Sequence, residues 1–230
     1  MDGALCQTDK SYLQNWSSLN HALIQRNSVL RSHGLYEKQL AEQLEPWNHI
    51  LLSLTPSMHS QRQKWSLEIS ARTQEIYALI SGGNELAEVI YESDLTDVTN
   101  PMLLWSDISL DQQAGRTRKG LHRDELHFML NGRPLKKFGS QGQQKSFLLS
   151  IKLAQLTLLE EKTGQSPILL LDDIFDKIDE KRISRILTWL KENFRGQTFF
   201  TDTSHQRLPG LMKEMGLDPQ VIFTDTALLQ

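Results

Sequence analysis

The chain has 230 residues, 39% hydrophobic and 23% charged, with 25 Lys and Arg against 28 Asp and Glu and a formal net charge of -3. That length suits one or two domains with a real core, and the slightly acidic balance excludes a surface that draws nucleic acid as a whole, so any such binding needs a local basic patch. One cysteine, Cys6, excludes an internal disulfide and fits a reducing cytoplasm, no apolar run of about 18 residues spans a membrane, and "MDGALCQTDK" lacks the basic-then-apolar pattern of a secretory signal.

Residues 8–82 read as helices only. Tyr12, Trp16, Leu19, Leu23 and Leu30 share one face at helical spacing, and Gly34 is a plausible stop. Leu40, Leu44, Trp47, Leu51 and Leu54 step by four and three, a coiled-coil-like rhythm. Pro46 predicts a kink or a new helix, and Thr55-Pro56 reads as an N-cap followed by proline in a first turn. Met58, Trp65, Ile69, Ile76 and Ile80 extend the stripe until Gly82-Gly83 ends it. The sum is a helical hairpin whose stripes pack on each other.

Residues 84–138 are mixed. "LAEVIYES" predicts a strand, and "LHFMLNGRPL" a hairpin turning at Asn131-Gly132. Between them "GRTRKGLHR" gathers Arg116, Arg118, Lys119 and Arg123, a cluster suited to phosphates and equally to a basic loop with no ligand.

From residue 140 helices and strands alternate. A helix is predicted over about 141–162, with Phe147, Ile151, Ala154 and Leu158 on one side. "PILLLDD" is a continuous apolar run, the mark of a strand covered on both faces. A helix with Ile183, Ile186, Leu187 and Leu190 follows, then "QTFFTDT" as another buried strand, a last helix, and a strand at "QVIF". Strands separated by helices predict a parallel sheet and an α/β fold.

"GSQGQQKS", Gly139 to Ser146, looks at first like a phosphate-binding loop. A true P-loop needs glycine directly before its Lys-Ser/Thr and a strand leading in. Here Gln144 precedes Lys145, and the chain has no GxxxxGK[ST] elsewhere. The stretch reads better as a helix start. Ser140 caps it, with Gln143 completing a capping box, and Gly142 allows close approach. Free N–H groups and a serine hydroxyl at a helix N-terminus suit an anion, although capping alone explains the same residues.

The run "ILLLDD" places Asp172 and Asp173 at the carboxyl edge of a parallel strand, where α/β proteins bind ligands. One carboxylate suits Mg²⁺. The next can orient or deprotonate a water attacking a γ-phosphate. This is the form of a Walker B motif with its catalytic acid; a strand ending in a solvated acidic turn has the same sequence.

The order of these parts resembles the ATP-binding cassette ATPases. "GSQGQQKSFLLSIKLAQ", "PILLLDDIFDKIDEKR", "GLHRDEL" and "YLQNWSSLNHALIQRNSVL", the last with Gln25, Arg26 and Asn27, together resemble the RecF family of DNA replication and repair proteins over nearly the whole chain. The resemblance implies an arm over 1–83 and, over 84–230, the C-terminal lobe of an ATPase head. It implies that Ser140, Gln141, Gly142 and Gln143 are the signature motif, touching the γ-phosphate of ATP held by an opposing subunit. Asp172 matches the Mg²⁺ ligand, Asp173 the catalytic acid and Asp179 the D-loop aspartate at the dimer interface. Thr201 and Thr203 fall where a switch residue senses the γ-phosphate; His205 is given no such role. Arg116, Arg118, Lys119 and Arg123 become candidates for DNA.

The implied partners are double-stranded DNA and its single-strand junctions, an ATP-dependent second copy, and RecO and RecR in loading RecA at gaps, with a link to SOS induction. Two departures stand out. Leu121 replaces the proline of the family's Gly-Pro-His-Arg-Asp, which predicts a looser turn. The lobe bearing the P-loop has no counterpart in these residues, which predicts negligible ATPase activity from the chain alone, and either a longer protein or a lobe supplied by another chain. The rivals are a head of the SMC or RecN kind, which predicts a much longer coiled coil, and a non-catalytic scaffold binding partners through its helical arm.

Overall fold

The structure, a computed structural model, describes residues 1–32, 36–83, 85–96, 98–172, 175, 178–202 and 207–222. Gly34, Asp173 and Thr203, named above, lie outside the described residues, as does His205.

The arm begins with α1 (Asp2–Thr8), α2 (Lys10–Leu30) and α3 (Glu37–Ser81). Asp9 starts α2 by accepting from the backbone N–H groups of Ser11 and Tyr12 at 2.8 and 3.2 Å. Helices α2 and α3 form the expected hairpin. Leu19, Leu40, Leu44, Leu51, Met58, Trp65, Ile69, Ile76 and Ile80 are all buried. Trp16 departs from its stripe and stays 37% exposed.

The two prolines do not divide α3, so neither the new helix considered at Pro46 nor the helix start expected at Thr55-Pro56 is present. Pro46 and Pro56 both lie inside one helix of 45 residues, about 68 Å long at 1.5 Å per residue. Each ring costs one intrahelical hydrogen bond, but both rings face solvent, while Leu44, Leu51 and Met58 bury their side chains on the opposite stripe. Tertiary packing outweighs the local penalty. Thr55 is therefore no N-cap; its hydroxyl bonds back to the Leu51 carbonyl at 2.7 Å.

Three strands form an antiparallel sheet in the order β1 (Ala87–Glu92), β2 (Glu125–Leu130) and β3 (Arg133–Pro134). Ala87 pairs with Leu130, and Glu92 with Glu125. The predicted hairpin turn is present, with φ of 50° at Asn131 and 71° at Gly132, as a type I′ turn requires. A 3₁₀ turn (Pro101–Trp105) and α4 (Ile108–Ala114) lie between β1 and β2. After β3 come α5 (Leu135–Phe138) and α6 (Gln141–Thr163). Phe147 on α6 is fully buried, with ring centroids 5.6 Å from Tyr77 of α3 and 5.8 Å from Phe128 of β2.

Strands β4 (Leu169–Leu171) and β5 (Thr198–Phe200) pair in parallel, joined through α7 (Glu180–Asn193); α8 (Arg207–Glu214) follows. Ile183, Ile186, Leu187 and Leu190 of α7 are buried as predicted. The sheet itself is not covered on both faces. Leu169 and Leu171 are buried, but Ile168, Leu170 and Phe199 are 63%, 64% and 49% exposed, because no described element packs on that side. The expected strand at "QVIF" does not form over Gln220–Ile222, where Ile222 is 75% exposed; Phe223 lies outside the described residues.

One core cluster runs from Leu5 through Trp65 and Ile76 to Phe147, Ile183 and Met212. A second, of Leu30, Leu40 and Leu44, closes the far end of the hairpin. Among the described residues no helix is long and apolar enough to cross a membrane.

Candidate functional site

Three parts of the lobe carry the residues singled out in the sequence. The first is the start of α6. Ser140 accepts from the Gln143 N–H at 3.2 Å, and the Gln143 side chain accepts from the Ser140 N–H at 2.7 Å, a full capping box. Gln141 is exposed and Gly142 half-buried, so the first turn of the helix faces outward.

The second is the carboxyl edge of the parallel pair. Leu171 sits opposite Phe200 in register, so the next residues, Asp172 and Thr201, leave the sheet side by side. The Thr201 hydroxyl donates to Asp172 Oδ1 at 2.5 Å, and the Thr201 N–H continues the ladder to the Leu171 carbonyl at 3.0 Å. Asp172 is exposed and turned out from the edge. An exposed carboxylate beside a hydroxyl offers oxygen donors of the kind Mg²⁺ takes when phosphates and waters complete its shell. No group of three or more His, Cys, Asp or Glu side chains gathers for a metal among the described residues.

The third is Asp179. It caps α7 by accepting from the Arg182 N–H at 2.9 Å, and its other oxygen lies 3.4 Å from Arg182 Nε, with the carboxylate 60% exposed.

The basic loop is held by buried charges from the arm. Arg26, fully buried, donates to Asp111 at 2.8 Å, Thr117 at 2.7 Å and Asn48 at 2.8 Å. Asn27 accepts from the Thr117 N–H at 2.7 Å. Arg26 and Asn27 of α2 thus fix the loop. Further along, Arg62 of α3 pairs with Asp124 at 2.5 Å and donates to the Leu121 carbonyl at 2.5 Å. Leu121 is 3% exposed and lies in a 3₁₀ turn, Leu121–Arg123. The turn is closed without the proline by the Arg123 N–H, which donates to the Gly120 carbonyl at 2.8 Å. Burial lowers the Arg62 pKa, but Asp2, Tyr12 and Asp124 together outweigh it and raise it.

This frame leaves Arg116, Lys119 and Arg123 exposed. Arg118 is partly spent within the protein, its Nε 3.2 Å from Asp111 Oδ1. Arg118, Lys119 and Arg123 line a cavity of about 430 Å³ together with Glu92, Asp94 and Glu125, so the surface is mixed in sign.

Two participants carried no signal in the sequence. Glu85, in the linker before β1, accepts from the Gln143 side-chain amide and lies 3.6 Å from Arg182. Arg182 stands inside the quoted "FDKIDEKR" but has no role in that motif.

No known family model matches the chain. It is 35% identical over 213 residues to the DNA replication and repair protein RecF of Flavobacterium johnsoniae, covering 93% of this chain and 59% of that protein. It is 34% identical over 230 residues to RecF of Bacteroides thetaiotaomicron, covering 100% of this chain and 61% of that one. A solved structure described as the recombination mediator protein RecF-ATPrS in the RecFOR pathway superposes with a TM-score of 0.71 at 28% identity, over 88% of this chain and 56% of that one. The RecF-ATP structure gives 0.70. The chain spans about three-fifths of the length of these relatives, and its fold, an α/β lobe with parallel strands and a long helical arm, is that of the matching RecF region. Over the part of their length that it spans, the chain is a homologue of the RecF DNA replication and repair proteins.

Proposed function

We propose that these residues are the C-terminal portion of a RecF-like ATPase of DNA replication and repair, an arm over 1–83 and a head lobe over 84–230. The observation that carries the reading is the Asp172–Thr201 pair at the carboxyl edge of β4 and β5, the edge where nucleotide is held in such sheets. The homology to RecF and the likeness to RecF solved with ATP support it.

In the assembled head Asp172 would hold Mg²⁺, which when bound would neutralise charge on the transferring phosphoryl group. Asp173 orients the attacking water and takes its proton. Thr201, hydrogen-bonded to Asp172, and Thr203 sense whether the γ-phosphate is present. Ser140, Gln141, Gly142 and Gln143 address the nucleotide of a second copy through the N-terminal end of α6, with Asp179 at the interface between copies. The P-loop comes from the segment by which the relatives exceed these residues. That segment also covers the exposed face of Ile168, Leu170 and Phe199, an apolar patch of the kind that marks an interface.

ATP closes two heads around duplex DNA, at junctions with single strands, and hydrolysis releases it. Arg116, Arg118, Lys119 and Arg123 contact phosphates. The setting is the cytoplasm, with RecO and RecR in gap repair, RecA loading and the SOS response.

The test is phosphate release and ATP-dependent dimerisation. The 230-residue chain alone should show no turnover above background. Joined to the relatives' additional segment, it should dimerise with Mg·ATP and hydrolyse slowly, and Asp173→Asn should abolish hydrolysis while keeping the dimer. Turnover by the chain alone that disappears in Asp173→Asn would refute the division of labour; a joined protein that never dimerises with ATP would leave the scaffold reading.

A further inference from the structure

One carboxylate joins the two elements that this reading turns toward the second copy. Glu85 accepts from the Tyr77 hydroxyl of α3 at 2.9 Å, accepts from the Gln143 amide of α6, and lies 3.6 Å from the Arg182 guanidinium of α7. Arg182 reaches back with Nη1 3.3 Å from the Ser146 hydroxyl of α6 and with Nε 3.4 Å from Asp179. The side chains of Glu85 and Arg182 are only 16% and 18% exposed. A charge held this far from water needs its partner.

The geometry fixes Gln143 from both ends of its amide. Its Oε1 accepts from the Ser140 N–H, and its Nε2 donates to Glu85. Without the carboxylate the amide is held at one end only, by the Ser140 N–H, while the Ser140 hydroxyl keeps its own bond to the Gln143 N–H. Burial first, and then Glu85, holds the Tyr77 hydroxyl above its ordinary pKa, so it remains a neutral donor to the same carboxylate. On the other side Arg182 is itself the residue whose backbone Asp179 caps.

We propose that Glu85 and Arg182 are positioning residues that lock the Ser140–Gln143 helix start to the Asp179 cap, so that both elements move as one body. The purpose of the lock rests on the ATPase reading above, since both elements would have to reach a second copy in one fixed register. Pre-organised groups need not be ordered at the moment of contact. The lock itself does not depend on that reading.

Hydrogen–deuterium exchange on the 230-residue chain tests the lock directly. Gln143→Ala should speed exchange at Arg182 to Ser184 on α7, and Arg182→Met should speed it at Gln143 to Phe147 on α6. Each effect should be about tenfold, the size of one lost hydrogen bond to a charged group, with the middle of α3 unchanged. Arg182→Lys, which keeps charge and stem, should fall between and guards against simple misfolding. Exchange that rises only in the helix carrying the substitution overturns the lock.

A second measurement tests its purpose. In the protein joined to the relatives' additional segment, Glu85→Gln should weaken ATP-dependent dimerisation about tenfold, leave ATP binding to the single copy unchanged, and be non-additive with Arg182→Lys. Additive losses, or a dimer of unchanged strength, overturn the positioning role. A wild-type protein that does not dimerise with ATP overturns the ATPase reading, and the exchange experiment still decides the lock.

Discussion

The guanidinium of Arg26 on α2 and the carboxylate of Asp111 on α4 meet at 2.8 Å, with side-chain exposures of 0% and 3%. Burial pulls the Arg26 pKa down, and the hydrogen bond and charge of Asp111 act against it. Among the described residues Arg26 Nη2 has no hydrogen-bond partner. The pair therefore sets geometry more than it stabilises. Truncating one member should cost much more than replacing both, because it strands a charge away from water. Arg26→Ala is expected to lower unfolding stability by about 3–5 kcal/mol in denaturant titrations. Arg26→Met with Asp111→Leu should recover most of that while leaving the loop at Thr117 loose. A double variant as unstable as Arg26→Ala would show that the ion pair itself is the main contribution.

His59 ties stability to pH. Its Nδ1 lies 3.2 Å from the Tyr91 hydroxyl, which donates to Asp124 at 2.6 Å. The hydroxyl proton is therefore committed, and the neutral imidazole must donate from Nδ1. Burial holds the His59 pKa below its ordinary 6.5, opposed by Asp124 and aided by Arg62. His122 is shifted the same way, but the residue is exposed and solvent screens its share. The folded protein thus resists protons that the unfolded chain accepts. That stability is fully present above pH 6.5 and is lost as pH falls through the lower folded values. Thermal unfolding between pH 7.5 and 5 should show Tm falling, and His59→Gln should flatten the fall. An unchanged slope would exclude His59 as its source.

Gly139 controls the entry to α6. A Cβ at this position would lie 2.8 Å from both the Leu135 carbonyl oxygen and its Cδ1. The side chain can move, but the carbonyl already accepts from the Gly139 N–H at 2.8 Å and closes α5. Gly139→Ala should cost roughly 1–3 kcal/mol, as overpacking does, and should pull Ser140 out of its capping box. The companion Ser140→Ala removes the cap alone, worth about 1 kcal/mol. A Gly139→Ala variant as stable as the wild type, by equilibrium unfolding, would mean that the turn tolerates the methyl group.

Local rules carried much of the site. The Asn131-Gly132 turn, the Ser140–Gln143 box and the strands at 169–171 and 198–200 all follow from neighbouring residues. What the sequence hides are facts decided by distant parts of the chain. Pro46 and Pro56 sit in a continuous helix because the opposite stripe packs on α2. Leu170 and Phe199 look like core residues, yet their burial depends on a layer that the described residues do not contain. Asp172 and Thr201 are each visible as motif residues, but only the parallel register brings them to 2.5 Å. Glu85 and Arg182 meet across elements that no short pattern connects.

The loop from Arg116 to Arg123 separates residues able to reach a phosphate from those already engaged. Arg116, Lys119 and Arg123 are exposed, whereas Arg118 is 34% exposed and shares Asp111 with Arg26. If the loop tracks a DNA backbone, each exposed cation lost should reduce the slope of log affinity against log salt by about 1. In the protein joined to the relatives' additional segment, the triple change Arg116→Gln, Lys119→Gln and Arg123→Gln should reduce that slope by roughly 3. It should leave Tm unchanged, because surface substitutions away from packed features matter little. Arg118→Gln should behave in the opposite way, lowering Tm through Asp111 while moving the slope less. The nearby carboxylates of Glu92, Asp94 and Glu125 oppose a phosphate, so Glu125→Gln should strengthen binding at low salt. A triple variant with the wild-type salt slope would remove this loop from the DNA surface and leave it as the anchored end of the arm.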